Sequence, residues 1–188
     1  TLERQFQEIG SDIEAAVIKV LKGGQYIGGQ EIAEFEENFA SLVGVNHAVG
    51  CNSGTDALIL ALRALDIGKG DEVITSSFSF FATAEAISAV GANPVLVDIN
   101  PNDYLINIDL IEEEINSNTK AIMPVHLFGN AVNMKSIKAL AEKYNLKIIE
   151  DCAQATCTMW GNSKVGSIGD IGCFSFFPTK NLGAAGDG

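Results

Sequence analysis

Six short apolar runs recur along the chain with helical segments between several of them, a pattern that few folds accommodate. The runs are His47–Cys51, Glu72–Ser76, Pro94–Asp98, Ala121–Leu127, Lys147–Asp151 and Gly172–Phe177. The stretches Thr55–Leu65, Ala82–Val90, Ile108–Ile115 and Met134–Tyr144 carry apolar residues at helical spacing instead. Runs that are apolar on consecutive residues suit strands covered on both faces. The alternation therefore predicts an α/β fold, with a mostly parallel sheet and helices on both sides. Two helices are expected ahead of this body. Ser11 to Lys22 has Ile13, Ala16, Val17, Val20 and Leu21 on one stripe, with Ser11 as N-cap and Gly23-Gly24 as stop. A second, from about Gln30 to Val43, aligns Ile32, Phe35, Phe39 and Leu42. Residues 1–43 thus read as lead-in helices and 44–188 as the alternating body.

In such sheets ligands bind beyond the carboxyl ends of the strands, so informative residues should follow the apolar runs. Net charge narrows what they bind. The chain carries 24 acidic against 12 basic residues, a formal charge of −12, which repels a phosphate backbone and argues against nucleic acid. A single phosphate on a small ligand remains compatible, because local amides at a helix end can hold it. At 188 residues, 47% of them hydrophobic, the chain suffices for one domain with a substantial core. No apolar run approaches the roughly 20 residues that span a bilayer. Thr1 to Gly10 has neither the basic flank nor the apolar stretch of a signal peptide, and the expectation is a cytoplasmic protein. Cys51, Cys152, Cys157 and Cys173 show no CxxC spacing, and read as buried reduced thiols rather than metal ligands.

Three places offer chemistry. Asn52-Ser53-Gly54-Thr55-Asp56 follows the first run and opens a helix. Its glycine, hydroxyls and free helix-end amides suit a phosphate, although Ser, Thr and Asp are also ordinary caps. Neither GxxxxGK[ST] nor a strand-led GxGxxG occurs, so the nucleotide-triphosphate and dinucleotide fingerprints are missing. Glu150-Asp151 closes the fifth run, where a carboxylate can meet a cationic ring nitrogen, a salt bridge or a helix amide. His126 closes the fourth run and reads as a satisfied structural residue. Finally, Lys180 follows an aromatic run and sits among glycines. A partly desolvated lysine of this kind can attack a carbonyl as a free amine, against the alternative of a surface lysine lying along apolar groups.

Taken in order, NSGTDAL, SFSFFATAEAI, GANPVLVDI, VHLFG, IEDCAQA and GDIGCFSFFPTKNLG resemble the DegT/DnrJ/EryC1/StrS family of sugar aminotransferases. These are fold-type-I enzymes dependent on pyridoxal phosphate. The lead-in Gly28-Gly29-Gln30-Glu31 and Phe35-Glu36 are similar as well, so the likeness spans essentially the whole chain. It implies a three-layer αβα large domain. It also implies a role for each matching position. Lys180 resembles the lysine that carries the cofactor as a Schiff base, and Asp151 the partner of the pyridine nitrogen. Gln154 resembles the side chain beside the phenolic oxygen, and Gly54, Thr55 and Ser175 the phosphate contacts. Phe80 resembles the aromatic stacked on the ring, with Phe78 as the alternative.

The implied reaction moves an amino group from an amino acid, glutamate by resemblance, to a keto-sugar, with nucleotide-linked 3- or 4-keto-hexoses first and cyclitol ketones next. The implied assembly is a homodimer whose subunits share active sites. Departures also show. Ser76 stands where the family usually has proline, and Thr156-Cys157-Thr158-Met159-Trp160 replaces a glycine-containing segment. The resemblance places a further strand and a small C-terminal domain after Gly188, so the 188 residues correspond to most of one large domain, not expected to act as a self-sufficient enzyme. Sugar dehydratases of the same family carry histidine in place of the lysine, and Lys180 favours transamination over them. An inactive truncated relative, or a binding module on the same fold, is the remaining alternative.

Overall fold

The computed structural model describes residues 2–188. Five parallel strands form one sheet: β1 (Glu72–Ser76), β2 (Asn93–Val97), β3 (Thr119–Met123), β4 (Lys147–Asp151) and, after a small hairpin of β5 (Met159–Trp160) and β6 (Ser163–Lys164), β7 (Ile171–Cys173). The order across the sheet is β2-β1-β3-β4-β7. The chain builds outward from β1 to β2, then crosses back to β3, which makes the β1/β3 boundary a topological switch point.

Adjacent residues of each central strand feed different cores, which is why these strands are apolar on consecutive positions. Ile74, Ile122 and Ile148 pack with Ile111 of α5 (Ile108–Glu114) and with Met134 and Ile137 of α6 (Met134–Tyr144). Val73, Ala121, Met123 and Ile149 pack instead with Leu58 and Leu62 of α3 (Gly54–Ala64) and Ala86 and Ile87 of α4 (Phe81–Ala89). The α/β reading and its three layers hold.

Local chemistry explains the helix ends. The Ser53 hydroxyl accepts from the Asp56 amide at the start of α3, and Asn133 accepts from Ser136 at the start of α6. Asn145 ends α6 in a left-handed conformation, φ 54°. Of the lead-in helices, α2 (Gln30–Val43) falls as expected, but α1 runs Leu2–Gly23, so Ser11 lies inside it and is not its cap. The apolar positions Leu2, Phe6 and Ile9 continue the stripe upstream, and the helix follows them. Leu2, Phe6, Ile9, Val17, Ile18 and Leu21 are all exposed, and among the described residues of α1 only Gly10 is buried.

One expected strand is not formed. His47–Cys51 pairs with no neighbour; its Gly50 amide donates to Glu36 Oε1 of α2 at 2.7 Å. A strand exists only where another lies beside it, and the hydrogen-bonded neighbour of β7 is β4 alone. Two further runs are shortened. Pro124 has no amide for the ladder, so β3 stops at Met123 and His126 falls in irregular chain. The run after β7 leaves the sheet at Cys173 and is held by rings: Phe39 meets Phe174 at 4.9 Å and Phe176 at 5.2 Å, each edge to face. The cysteines also divide. Cys152 and Cys173 are buried, whereas Cys157 is exposed in a turn with φ 67° and Cys51 is half-buried.

A buried polar brace ties the far layer to the strand ends. His126 Nδ1 accepts from the Val132 amide, so its proton sits on Nε2, which donates to Glu150 Oε2 at 3.0 Å. Glu150 Oε1 accepts from the Ile168 and Gly169 amides at 2.8 and 2.7 Å. Burial acts to raise the Glu150 carboxyl, but these donors outweigh it and leave its pKa below the ordinary 4.5. Cys152 lies with the two, all three ligand-type atoms within 4.8 Å, yet the imidazole and carboxylate are already committed to the bonds described. A lowered carboxyl stabilises the fold above the unfolded value and loses that contribution as pH falls through the folded one. His126→Ala should therefore destabilise by about 3 kcal/mol or more by stranding a buried charge. In thermal melts against pH, Glu150→Gln should flatten the acid limb below pH 4.5; an unchanged limb would refute the brace.

Candidate active site

The carboxyl ends of β4 and β7 meet the N-terminus of α3 and the start of α4, and the candidate residues gather there. Strand alternation separates the two adjacent carboxylates: Glu150 faces the α5/α6 layer and forms the brace, while Asp151 faces α4. Asp151 is 4% exposed. Its Oδ2 accepts from the Thr83 hydroxyl of α4 at 2.9 Å and its Oδ1 from the Ala153 amide at 3.1 Å. Burial raises its pKa above the ordinary 3.8, against the pull of the Ala153 amide, the Thr83 hydroxyl, His126 and Lys180. Among the described residues no carboxylate is within ion-pairing distance of Lys180. Its backbone is set by a turn, with the Lys180 amide donating to Phe177 O at 2.8 Å.

Ser175 lies two residues beyond Cys173, which is in register with Asp151. Its neighbours Phe174 and Phe176 turn toward α2, and the buried Ser175 side chain turns toward Gly54. A Cβ on Gly54 would stand 2.7 Å from Ser175 Cβ, closer than side-chain atoms approach. Only glycine lets the first turn of α3 come this near. Because Ser53 caps the Asp56 amide, the amides of Gly54 and Thr55 are left as the free donors of the helix end. Capping, one of the two readings of this motif, thus falls to Ser53.

Gln154 is oriented by its neighbour: Oε1 accepts from the Phe128 amide at 2.9 Å, which leaves the NH2 end as the free donor. Phe128 itself has a left-handed backbone, φ 57°. Of the two aromatics, Phe78 is 47% exposed and leans on Tyr104 with centroids 6.0 Å apart, while Phe80 is 69% exposed and directly precedes α4. Phe80 is one turn before Thr83, whose amide donates to Phe80 O.

Sequence reasoning missed Thr83 and its neighbour Ser79, 2.7 Å apart through their hydroxyls. Their i, i+4 spacing at a helix start was the available signal, but nothing local marks a hydroxyl that ends on a carboxylate 68 residues away.

A clamped buried anion, a lysine on the loop after the neighbouring strand and a glycine-walled pair of helix-end amides at the ends of a parallel sheet suit a phosphorylated, cationic ring bearing a carbonyl. Pyridoxal phosphate is such a ligand, and the donor set fits it. The chain belongs to the DegT/DnrJ/EryC1/StrS aminotransferase family, which it matches over residues 7–188. It is 53% identical, over its whole length, to 51% of the UDP-N-acetyl-3-dehydro-α-D-glucosamine 3-aminotransferase of Acidithiobacillus ferrooxidans. The crystal structure of Streptomyces venezuelae DesV in complex with a ketimine intermediate superposes with a TM-score of 0.97, at 41% identity, on 100% of this chain and 50% of that one. The structure of NtdA from Bacillus subtilis with bound cofactor PMP gives 0.91 at 38% identity, on 96% of this chain and 40% of that one. The chain spans about half the length of the curated relatives it matches.

Because the folded pKa of Asp151 lies above its unfolded value, its charge opposes folding. That cost is absent below the unfolded value and complete once pH exceeds the folded one. Asp151→Asn should therefore raise the melting temperature of the cofactor-free protein at neutral pH, with the gain fading as pH falls toward 3.8. The hydroxyl chain can accommodate the change, since Thr83 can accept from the new amide. A melting temperature lowered by this variant at neutral pH would show that the carboxylate is there for stability.

Proposed function

We propose that the chain is the cofactor-binding large domain of a pyridoxal-phosphate aminotransferase acting on a nucleotide-linked keto-sugar, with an amino acid such as glutamate as donor. The observation that carries this is Asp151: a carboxylate held buried at a cost, clamped on both oxygens and within the field of an amine. Burial opposes that charge, and a cationic ring nitrogen would favour it. The relative named for a UDP-linked 3-dehydro sugar favours a 3-keto acceptor.

In this reading Gly54, Thr55 and Ser175 hold the phosphate, Asp151 pairs with the ring nitrogen, and Gln154 offers its NH2 to the ring oxygen. Phe80 covers one ring face. Pyridoxal phosphate, when bound, supplies an electron sink that stabilises negative charge at the substrate carbon. Asp151 would keep the ring nitrogen protonated by charge pairing. Lys180 would hold the cofactor through its amine, and its free Nζ would be the base that takes a proton from the donor carbon and gives one to the acceptor carbon.

Two experiments test this. The complete protein mixed with pyridoxal phosphate should develop a near-visible absorbance band and a borohydride-fixed adduct, and Lys180→Ala should lose both. An adduct of undiminished yield in Lys180→Ala would overturn the role of Lys180. The exposed apolar stripe of α1 supports the second part, a homodimer in which this helix meets the partner subunit. Phe6→Glu with Leu21→Glu should move the complete protein from dimer to monomer in light scattering. A dimer of unchanged strength in that double variant would count against α1 as the contact.

A further inference from the structure

The Asp151 clamp has a second tier. Thr83 Oγ1 lies 2.9 Å from Asp151 Oδ2 and 2.7 Å from Ser79 Oγ. A hydroxyl has one proton, so a Thr83 that donates to the carboxylate must accept from Ser79. The chain of donors therefore runs Ser79 to Thr83 to Asp151 whenever Asp151 is ionised. Thr83 is 2% exposed, so no water can replace it. Among the described residues it is the one side chain that hydrogen-bonds the Asp151 carboxylate; the other donor is the Ala153 amide.

We infer that Thr83, oriented by Ser79, is a positioning residue that holds Asp151 in the one orientation and charge state able to meet a cationic ring. This rests on the functional reading above and extends it to two residues given no role there. The same turn bears Phe80 between the two hydroxyls, with the Thr83 amide donating to Phe80 O. Ser79, Phe80 and Thr83 are thus one rigid unit. It sets the height of the stacking ring relative to the carboxylate, so that a cofactor seated on Phe80 meets an anion already aligned.

The ionisable groups around Asp151 are Lys180 from the loop after β7, His126 from the segment after β3, Cys173 on β7, and Glu150 and Cys152 beside it on the chain; His126 and Lys180 favour its charged form. Thr83 adds to these a donor that bonds the charged form more strongly than the neutral one, and removing it should raise the pH at which Asp151 gains a proton.

The test uses the complete protein and three variants: Thr83→Val, which keeps shape and removes the hydroxyl, Thr83→Ser, which restores it, and Ser79→Ala. Cofactor affinity is measured against pH by fluorescence quenching. In the wild type it should fall on the acid side as Asp151 is protonated. Thr83→Val should move that midpoint upward by about one to two pH units, the worth of a hydrogen bond to a charged group. Ser79→Ala should move it the same way by less, and Thr83→Ser should match the wild type. A purely structural role would lower the melting temperature of the variants and leave the midpoint in place. If Thr83→Val does not fold, Ser79→Ala against wild type decides. Superimposable profiles across the set would overturn this inference alone. A wild type that takes up no cofactor would overturn the functional reading together with it.

Discussion

A carboxylate buried at the end of a central strand is the constraint on which the arrangement depends. Asp151 is almost without solvent, and burial raises its pKa. Groups from separate parts of the chain oppose that rise: the Ala153 amide, the Thr83 hydroxyl, His126 and Lys180. Each is delivered by a different element, so the site exists only when the sheet order is right. The strands β4 and β7 set Asp151 beside Cys173, with Ser175 two residues further on, and α4 supplies Thr83 from the opposite side of the switch point.

The residue before it shows how the fold separates two identical chemistries. Glu150 and Asp151 are both buried acids, and strand alternation sends them to opposite layers. Glu150 meets a neutral imidazole and two backbone amides, and its pKa falls below the ordinary value. Asp151 meets fewer donors and its pKa rises. One stabilises the fold at neutral pH and the other destabilises it.

Much of the fold was legible in the sequence because both-face burial leaves a direct mark. The runs Glu72–Ser76 and Lys147–Asp151 match β1 and β4 residue for residue, and Gln30–Val43 and Met134–Tyr144 match α2 and α6. What was misread depends on partners remote in the chain. His47–Cys51 has strand composition, but a ladder needs a neighbour. Ser11 has cap chemistry, but the apolar stripe of α1 continues through it. In the candidate site, Gly54, Asp151, Ser175 and Lys180 could be proposed from motif order and family likeness. Thr83 could not, since its acceptor lies on β4, 68 residues away. Phe78 and Phe80 could not be told apart from the sequence, and in the structure the first leans on Tyr104 while the second stands at the start of α4.

The central claim is that Asp151 is kept charged and buried to hold a cationic ring nitrogen. Nitrogen-15 NMR of the complete protein loaded with ring-labelled pyridoxal phosphate tests it most directly. At neutral pH the wild type should show a pyridinium resonance, and Asp151→Asn should shift it to that of an unprotonated pyridine. A bound cofactor whose ring nitrogen is unprotonated in the wild type, or equally protonated in both proteins, would contradict the account.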